Sequence, residues 1–294
     1  MKILILGGAG MLGHKLFQYL RGRHPDTICT VRRALDEQAL RKVELLHTGG
    51  VLQNVDVADF AALERLLVQS KPEVVVNCVG IVKQREEAKS AIPSITVNAL
   101  LPHQVAAICN RVGARLIHFS TDCVFSGRRG NYQEEDLSDA EDLYGRTKFL
   151  GEVVGGRALT VRTSMIGREL QHQESLLEWF LKQNHKTVAG YTRAMFSGVT
   201  TNYLAKLVQL LIEEHSQLAG LYQVTSQTIS KFELLCLLRD AYRLDIEITA
   251  NSGFFCDRSM RGDKFVQATG LICPPWPDLV AELAKDDTPY GRWK

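Results

Sequence analysis

Tyr144 and Lys148 stand four residues apart in Leu143-Tyr144-Gly145-Arg146-Thr147-Lys148. In a helix that spacing puts a phenol and an ammonium on one face, about one turn apart. A tyrosine ordinarily titrates near ~10, and a fixed positive charge beside it stabilises the phenolate and lowers that value. Such a phenol exchanges a proton near neutrality, as general acid–base work on a carbonyl or alcohol requires. The chain has eight tyrosines, so one such pair could arise by chance, as an ordinary solvated helix face. Its weight comes from what precedes it. The apolar run 116–119 reads as a buried strand, and Ser120-Thr121-Asp122 follow at its C-terminal edge, where open α/β sheets bind ligands.

A second constellation opens the chain. Ile3 to Leu6 reads as a buried parallel strand, and Gly7-Gly8-Ala9-Gly10-Met11-Leu12-Gly13 leads into a helix ending near Arg21. Gly7, Gly10 and Gly13 permit a tight turn, close approach of backbone to a pyrophosphate, and close helix–strand packing. The helix start, with Met11 and Leu12, offers N–H donors and a positive dipole end to phosphates. The expected ligand is therefore a dinucleotide. A strand over 27–31 ends in Arg32-Arg33, where a site for NAD(H) commonly has an acidic residue. Two guanidiniums there suit a 2′-phosphate, so NADP(H) is expected, with NAD(H) the alternative. A strand over 51–57 brings Asp56 and Val57 to where an adenine edge is read. A strand over 73–76 leads to Cys78-Val79-Gly80, expected beside the nicotinamide, and Lys83 and Gln84 follow in a loop that could face substrate. Asn98 starts a long helix over 99–112, either as its cap or reaching into the site, and Gly113 ends it.

These elements alternate strand and helix, which implies an α/β fold: a doubly wound parallel sheet of the Rossmann type. A sixth strand over 159–162 closes the regular part. Helices are expected at 175–184, 201–214, 230–241 and 276–284, with short strands near 187–189, 221–225 and 245–249. The division is a dinucleotide-binding domain over 1–163 and a smaller mixed substrate lobe over 164–294, some of whose elements pack back on the sheet. The 35 basic and 33 acidic residues balance to +2, which removes a bulk electrostatic case for nucleic acid or membrane. No apolar run is expected to reach the ~20 residues of a membrane span, and 3–6 is too short an apolar run for a signal peptide. Seven scattered cysteines lack metal-ligand spacing and read as reduced thiols of a cytoplasmic protein, with no metal site.

The glycine turn, Asp56-Val57, Ser120-Thr121-Asp122 and Tyr144 with Lys148 occur in the order and spacing of extended short-chain dehydrogenases/reductases. Ser-Thr-Asp-x-Val-Phe, then Tyr-Gly-Arg-Thr-Lys-Phe-Leu-Gly-Glu and Arg162-Thr163-Ser164, resemble the dTDP-4-dehydrorhamnose reductase branch. The resemblance implies NADPH-dependent reduction of the 4-keto group of a nucleotide-diphosphate deoxyhexose, for surface polysaccharide, with a homodimer as a further expectation. It implies that Tyr144 is the general acid, that Lys148 lowers its pKa and holds the nicotinamide ribose, and that Thr121 binds the substrate oxygen. Arg258 resembles an arginine that meets the sugar-nucleotide diphosphate. Lys83, Asn98, Cys123 and Met165 complete the substrate set. The branch usually has Tyr and Trp where this chain has Cys123 and Met165, so the hexose pocket is altered. Cys123 also has the spacing of the epimerising Cys of GDP-fucose synthases, with His172 as its partner. The alternatives are thus an epimerase–reductase and a non-catalytic nucleotide-binding subunit.

Overall fold

The computed structural model describes every residue except 39, 84, 85, 172, 173 and 294, and every side chain besides those except 86 and 87. Strand β1 (Ile3–Leu6) is four apolar residues with no exposure on either face, as a central parallel strand must be. It runs into α1 (Met11–Arg21), then β2 (Ile28–Thr30), β3 (Val51–Leu52), α2 (Phe60–Ser70), β4 (Val74–Asn77), α3 (Ala91–Ser94), α4 (Leu101–Val112), β5 (Arg115–Ser120), α5 (Leu143–Leu150) and β6 (Leu159–Arg162). The remainder is β7 (Met165–Ile166), α6 (Leu176–Leu181), β8 (Thr187–Phe196), β9 (Val199–Thr200), α7 (Thr201–Glu213), β10 (Gly220–Gln223), β11 (Ile229–Ser230), α8 (Lys231–Tyr242), β12 (Glu247–Asp257), α9 (Asp263–Thr269) and α10 (Trp276–Ala284).

Among the described residues a seven-stranded sheet runs β10-β6-β5-β4-β1-β2-β3, parallel throughout. The winding reverses beside β1, which creates the crevice where such sheets hold ligands. Leu12, Leu16, Phe17 and Leu20 of α1 share one core with Leu204, Leu207, Val208 and Leu211 of α7. Leu63 and Leu67 of α2 and Leu101, Val105 and Ile108 of α4 cover the other face. The lobe has its own core, in which Phe180, Leu234, Leu238, Trp276 and Leu279 meet Val188 and Phe196. Its small sheet runs β11-β8-β12.

Several expectations are corrected. β3 stops at Leu52, because Asn54 turns the chain with φ +56°. The long helix begins at Ala91, seven residues before Asn98, and passes through a π-helical turn (Ile95–Leu100) before α4. That wide turn presents the Asn98 carbonyl to Gly151, where any Cβ would collide with it. β8 and β12 are long strands of 10 and 11 residues, and α9 was not expected. Sequence 199–224 does pack back: β10 is an edge strand of the large sheet and α7 covers it. One segment, Ala91–Val112, is long and apolar enough by length and composition to span a membrane, contrary to expectation. Half of it is buried, with its α4 face in the core beneath the sheet.

A polar pair lies inside this apolar frame. Arg162, at the end of β6, is 1% exposed, and its Nε and Nη2 donate to Glu152 at 2.8 and 2.7 Å. Ser120, at the end of β5, donates to the same carboxylate at 2.6 Å. Removing one partner of a buried pair strands the other charge away from water. Arg162→Met should therefore lower unfolding stability by about 3–5 kcal/mol in urea titration. Arg162→Met combined with Glu152→Gln should recover part of the loss, and a single-mutant loss below about 1 kcal/mol would show that the pair is not a structural anchor.

Candidate active site

Thr121 leaves β5 in an extended conformation, and its Oγ1 accepts the Cys123 N–H at 3.1 Å and donates to Asp122 at 3.1 Å. Asp142 caps α5 by accepting the Gly145 N–H at 2.8 Å. A Cβ on Gly145 would collide with the Cys123 carbonyl, so glycine lets α5 lie directly on the 121–123 turn. That contact brings the Tyr144 phenol to the Thr121 hydroxyl. Lys148, one turn on, is buried and donates to the Phe119 carbonyl at 2.7 Å.

The electrostatics correct one expectation. Burial pushes the Tyr144 phenol above its ordinary value, with Cys123 acting the same way, while the hydrogen bond with Thr121 pulls it down. The Lys148 ammonium donates to the Phe119 carbonyl rather than to the phenol. Tyr144 is thus fully protonated at neutral pH. Burial lowers Lys148 itself to about 8, opposed by Glu152.

A cleft beside this group is lined by Gly7, Gly10 and Met11, by Thr30, Val31 and Arg32, by Val55 and Val57, and by Cys78, Val79 and Gly80. Gly7 takes φ +88°, and a Cβ on Gly13 would strike the Gly7 carbonyl, so the turn folds tightly onto the helix start. A cradle of bare backbone at a helix N-terminus fits a dinucleotide pyrophosphate. Leu12 and Asp56 do not line it: Leu12 lies in the core, and Asp56 faces solvent and accepts the Ala58 N–H at 3.0 Å. Arg33 turns away to Glu37 at 3.6 Å, which leaves Arg32 as the guanidinium at the cleft. Glu169, Leu170 and Gln171 complete the wall and were not expected. Nor was the support behind the turn. The Gly10 carbonyl can only accept, so His14 Nδ1 donates to it at 2.8 Å and Nε2 accepts from the Tyr290 hydroxyl at 2.8 Å. Burial holds His14 near 4, hence neutral.

The expected substrate residues divide. Cys123 adjoins Tyr144, and burial followed by Asp122 pushes its thiol up to about 12. Arg258 donates to the Phe125 carbonyl at 2.7 Å; burial works to lower its pKa, but Cys123, Cys256, Asp122 and Asp142 together raise it. Lys83 pairs with Asp142 at 2.6 Å and is half exposed. Asn98 is corrected: it is buried, bonding Ile81 N–H and C=O at 2.9 Å each and Thr147 at 3.4 Å, so it pins the loop and α5 together. Met165 pairs in register with Val199 and packs against the core under the sheet. Gln84 and His172 lie outside the described residues.

A family model described as the RmlD substrate binding domain matches residues 1–252. The chain belongs to that family. It is 32% identical to a dTDP-4-dehydrorhamnose reductase of Streptomyces griseus over 150 residues, 51% of this chain and 43% of the relative. It is 29% identical to methionine adenosyltransferase 2 subunit beta of Mus musculus over 157 residues, 51% of this chain and 41% of the relative. The matched region spans under half the length of each relative. The structure of a dTDP-4-dehydrorhamnose reductase from Bacillus anthracis in complex with NADP superposes with a TM-score of 0.79 at 20% identity, covering 96% of this chain and 99% of that one. The fold is that of extended short-chain dehydrogenases/reductases.

The two arginines now separate. Arg32→Ala should weaken NADPH by about tenfold or more while NADH changes little, since only NADPH carries the extra phosphate. Arg33→Ala should leave both unchanged. Titration of each cofactor against each variant checks this, and equal losses on both cofactors in Arg32→Ala would contradict it.

Proposed function

We propose that this chain reduces the 4-keto group of a nucleotide-diphosphate deoxyhexose with NADPH, in the manner of dTDP-4-dehydrorhamnose reductases, for surface polysaccharide synthesis. One observation carries the reading: a protonated phenol on Tyr144 and the hydroxyl of Thr121 meet at the end of β5, the strand next to β4, which leads into the Cys78, Val79 and Gly80 wall of the cleft. β4 and β5 are neighbours in register, Asn77 opposite His118.

When bound, the dinucleotide supplies the hydride. The chain does the rest. Thr121, on giving up its bond to Asp122, donates a hydrogen bond to the substrate carbonyl oxygen, and Tyr144 gives that oxygen the proton that reduction requires. Raising the phenol pKa suits an acid that must hold its proton until the oxygen becomes basic. Lys148 places a positive charge one turn below and can exchange the Phe119 carbonyl for a ribose hydroxyl. The names of the matched reductases and the NADP in the Bacillus anthracis structure support the substrate class and cofactor.

The epimerase–reductase reading loses support from the Cys123 thiol, which at about 12 holds almost no thiolate to remove a carbon-bound proton. The similarity to methionine adenosyltransferase 2 subunit beta raises the non-catalytic reading. Thr121, Tyr144 and Lys148 in one constellation favour catalysis, since a binding module does not need all three. The seven unpaired cysteines favour a cytoplasmic location. The homodimer has a surface that suits it: Ile92, Ile95, Leu150 and Val154, on and beside the neighbouring α3 and α5, are exposed apolar side chains.

A panel of nucleotide-diphosphate 4-keto sugars, scored by NADPH oxidation, tests the reading. Tyr144→Phe should cut turnover by roughly 10²–10⁴-fold while NADPH affinity stays within a few fold. Activity near wild type would remove Tyr144 from the acid's role. Lys148 is charged below about 8 and neutral above it, so kcat/KM should fall as pH rises through that value. A profile level to about pH 10 would show that its charge does not serve the reaction.

A further inference from the structure

The lobe meets the catalytic turn along one edge of its small sheet. Asp257 N–H donates to the Gly127 carbonyl and Arg258 Nε to the Phe125 carbonyl, each at 2.7 Å. At the same end of that sheet, across β8, Ile229 and Ser230 pair with Phe196 and Met195. Lys231, the first residue of α8, therefore emerges beside Cys256 and within the field of Asp122 and Cys123. Its ammonium lies 3.9 Å from the centre of the Phe196 ring and makes no hydrogen bond or ion pair among the described residues.

This is a costly place for a lysine. A positive charge in the first helical turn opposes the helix dipole. Partial burial of an ammonium without a hydrogen-bonded partner is unfavourable as well. The acid of that turn, Glu233, is held in a capping box by Ser230 and is not among the charges acting on Lys231. Around the turn Lys83 pairs with Asp142, and Arg258 and Lys231 both lie in the field of Asp122. Among the described residues the Lys231 ammonium is thus without a bonded carboxylate of its own, next to the residues that follow Thr121.

We infer that Lys231 is a positioning residue for substrate and takes an anionic oxygen of the nucleotide sugar. Two sources supply that chemistry: a carboxylate on the hexose, or the diphosphate. The inference rests on the nucleotide-sugar reading above and adds the residue that sets the charge its lobe selects.

The test titrates dTDP-glucose, UDP-glucose and UDP-glucuronate against the 294-residue chain saturated with NADP⁺. Wild type is compared with Lys231→Met, Lys231→Gln and Lys231→Arg. Met and Gln should weaken binding by about tenfold or more, the effect of losing a charge-assisted bond, and Arg should restore most of it. The Tm should stay level or rise in Met and Gln, because an unfavourable charge leaves the helix start. Loss confined to UDP-glucuronate identifies a hexose carboxylate, and equal loss in every sugar nucleotide that binds identifies the diphosphate. Affinities unchanged in Met and Gln would overturn the inference and leave the nucleotide-sugar reading standing. Weaker binding with a lowered Tm and no rescue by Arg would overturn it too, in favour of a structural lysine. Failure of all three ligands to bind wild type would contradict the nucleotide-sugar reading itself, and the inference with it.

Discussion

Beneath the candidate catalytic helix, Arg162 and Glu152 meet as an ion pair almost wholly removed from water, with the guanidinium lying over the Phe125 ring. Glu152 follows α5 by two residues, Ser120 ends β5 and Arg162 ends β6. One carboxylate thus ties together the helix that carries Tyr144 and Lys148 and the strand that delivers Thr121. It is also the charge that opposes the lowering of Lys148. Desolvating a pair of this kind costs much of what its attraction returns, so its value is in fixing geometry rather than in stability alone. In the proposed reaction two hydroxyls converge on one carbonyl oxygen, and small misplacements lose large factors in rate.

Around that anchor, glycines decide where backbone approaches backbone. Gly145 lets α5 rest on the 121–123 turn, and Gly151 accommodates the Asn98 carbonyl from the π-helical turn. Asn98 then bridges Ile81 to Thr147, so the loop after β4 is fastened to the catalytic helix. At the cofactor cleft, His14 and Tyr290 brace the glycine turn from behind, and Lys15 reaches Asp286 at 2.6 Å in a largely buried pair. The C-terminal segment therefore supports the start of the chain, 271 residues away in sequence.

The alternating sheet, the glycine turn and the Thr121, Tyr144, Lys148 group were legible because each is written locally: apolar period, turn chemistry, four-residue spacing. What failed to be legible depends on distant partners. Arg32 and Arg33 are equivalent as neighbours in sequence, and only the bend after β2 with Glu37 nearby turns one of them away. Helical spacing puts Lys148 on the Tyr144 face, but only the fold brings up the Phe119 carbonyl that its ammonium meets. Asn98 reads as a helix cap or a residue of the site, and a helix that begins at Ala91 puts it mid-helix in a π-helical turn. Lys231 looks like an ordinary lysine at a helix start, and only the pairing of β11 with β8 carries it to Asp122 and Cys123.

The proposed reaction transfers hydride to a carbonyl held by Thr121 and Tyr144, with no carbon acid chemistry at Cys123. The most direct measurement runs a turned-over nucleotide-diphosphate 4-keto sugar with NADPH deuterated at nicotinamide C4, and in parallel with unlabelled NADPH in D₂O. The account predicts one cofactor-derived deuterium at sugar C4 and none from solvent at C3 or C5. Solvent deuterium at C3 or C5, or a product without the cofactor's label at C4, would contradict it.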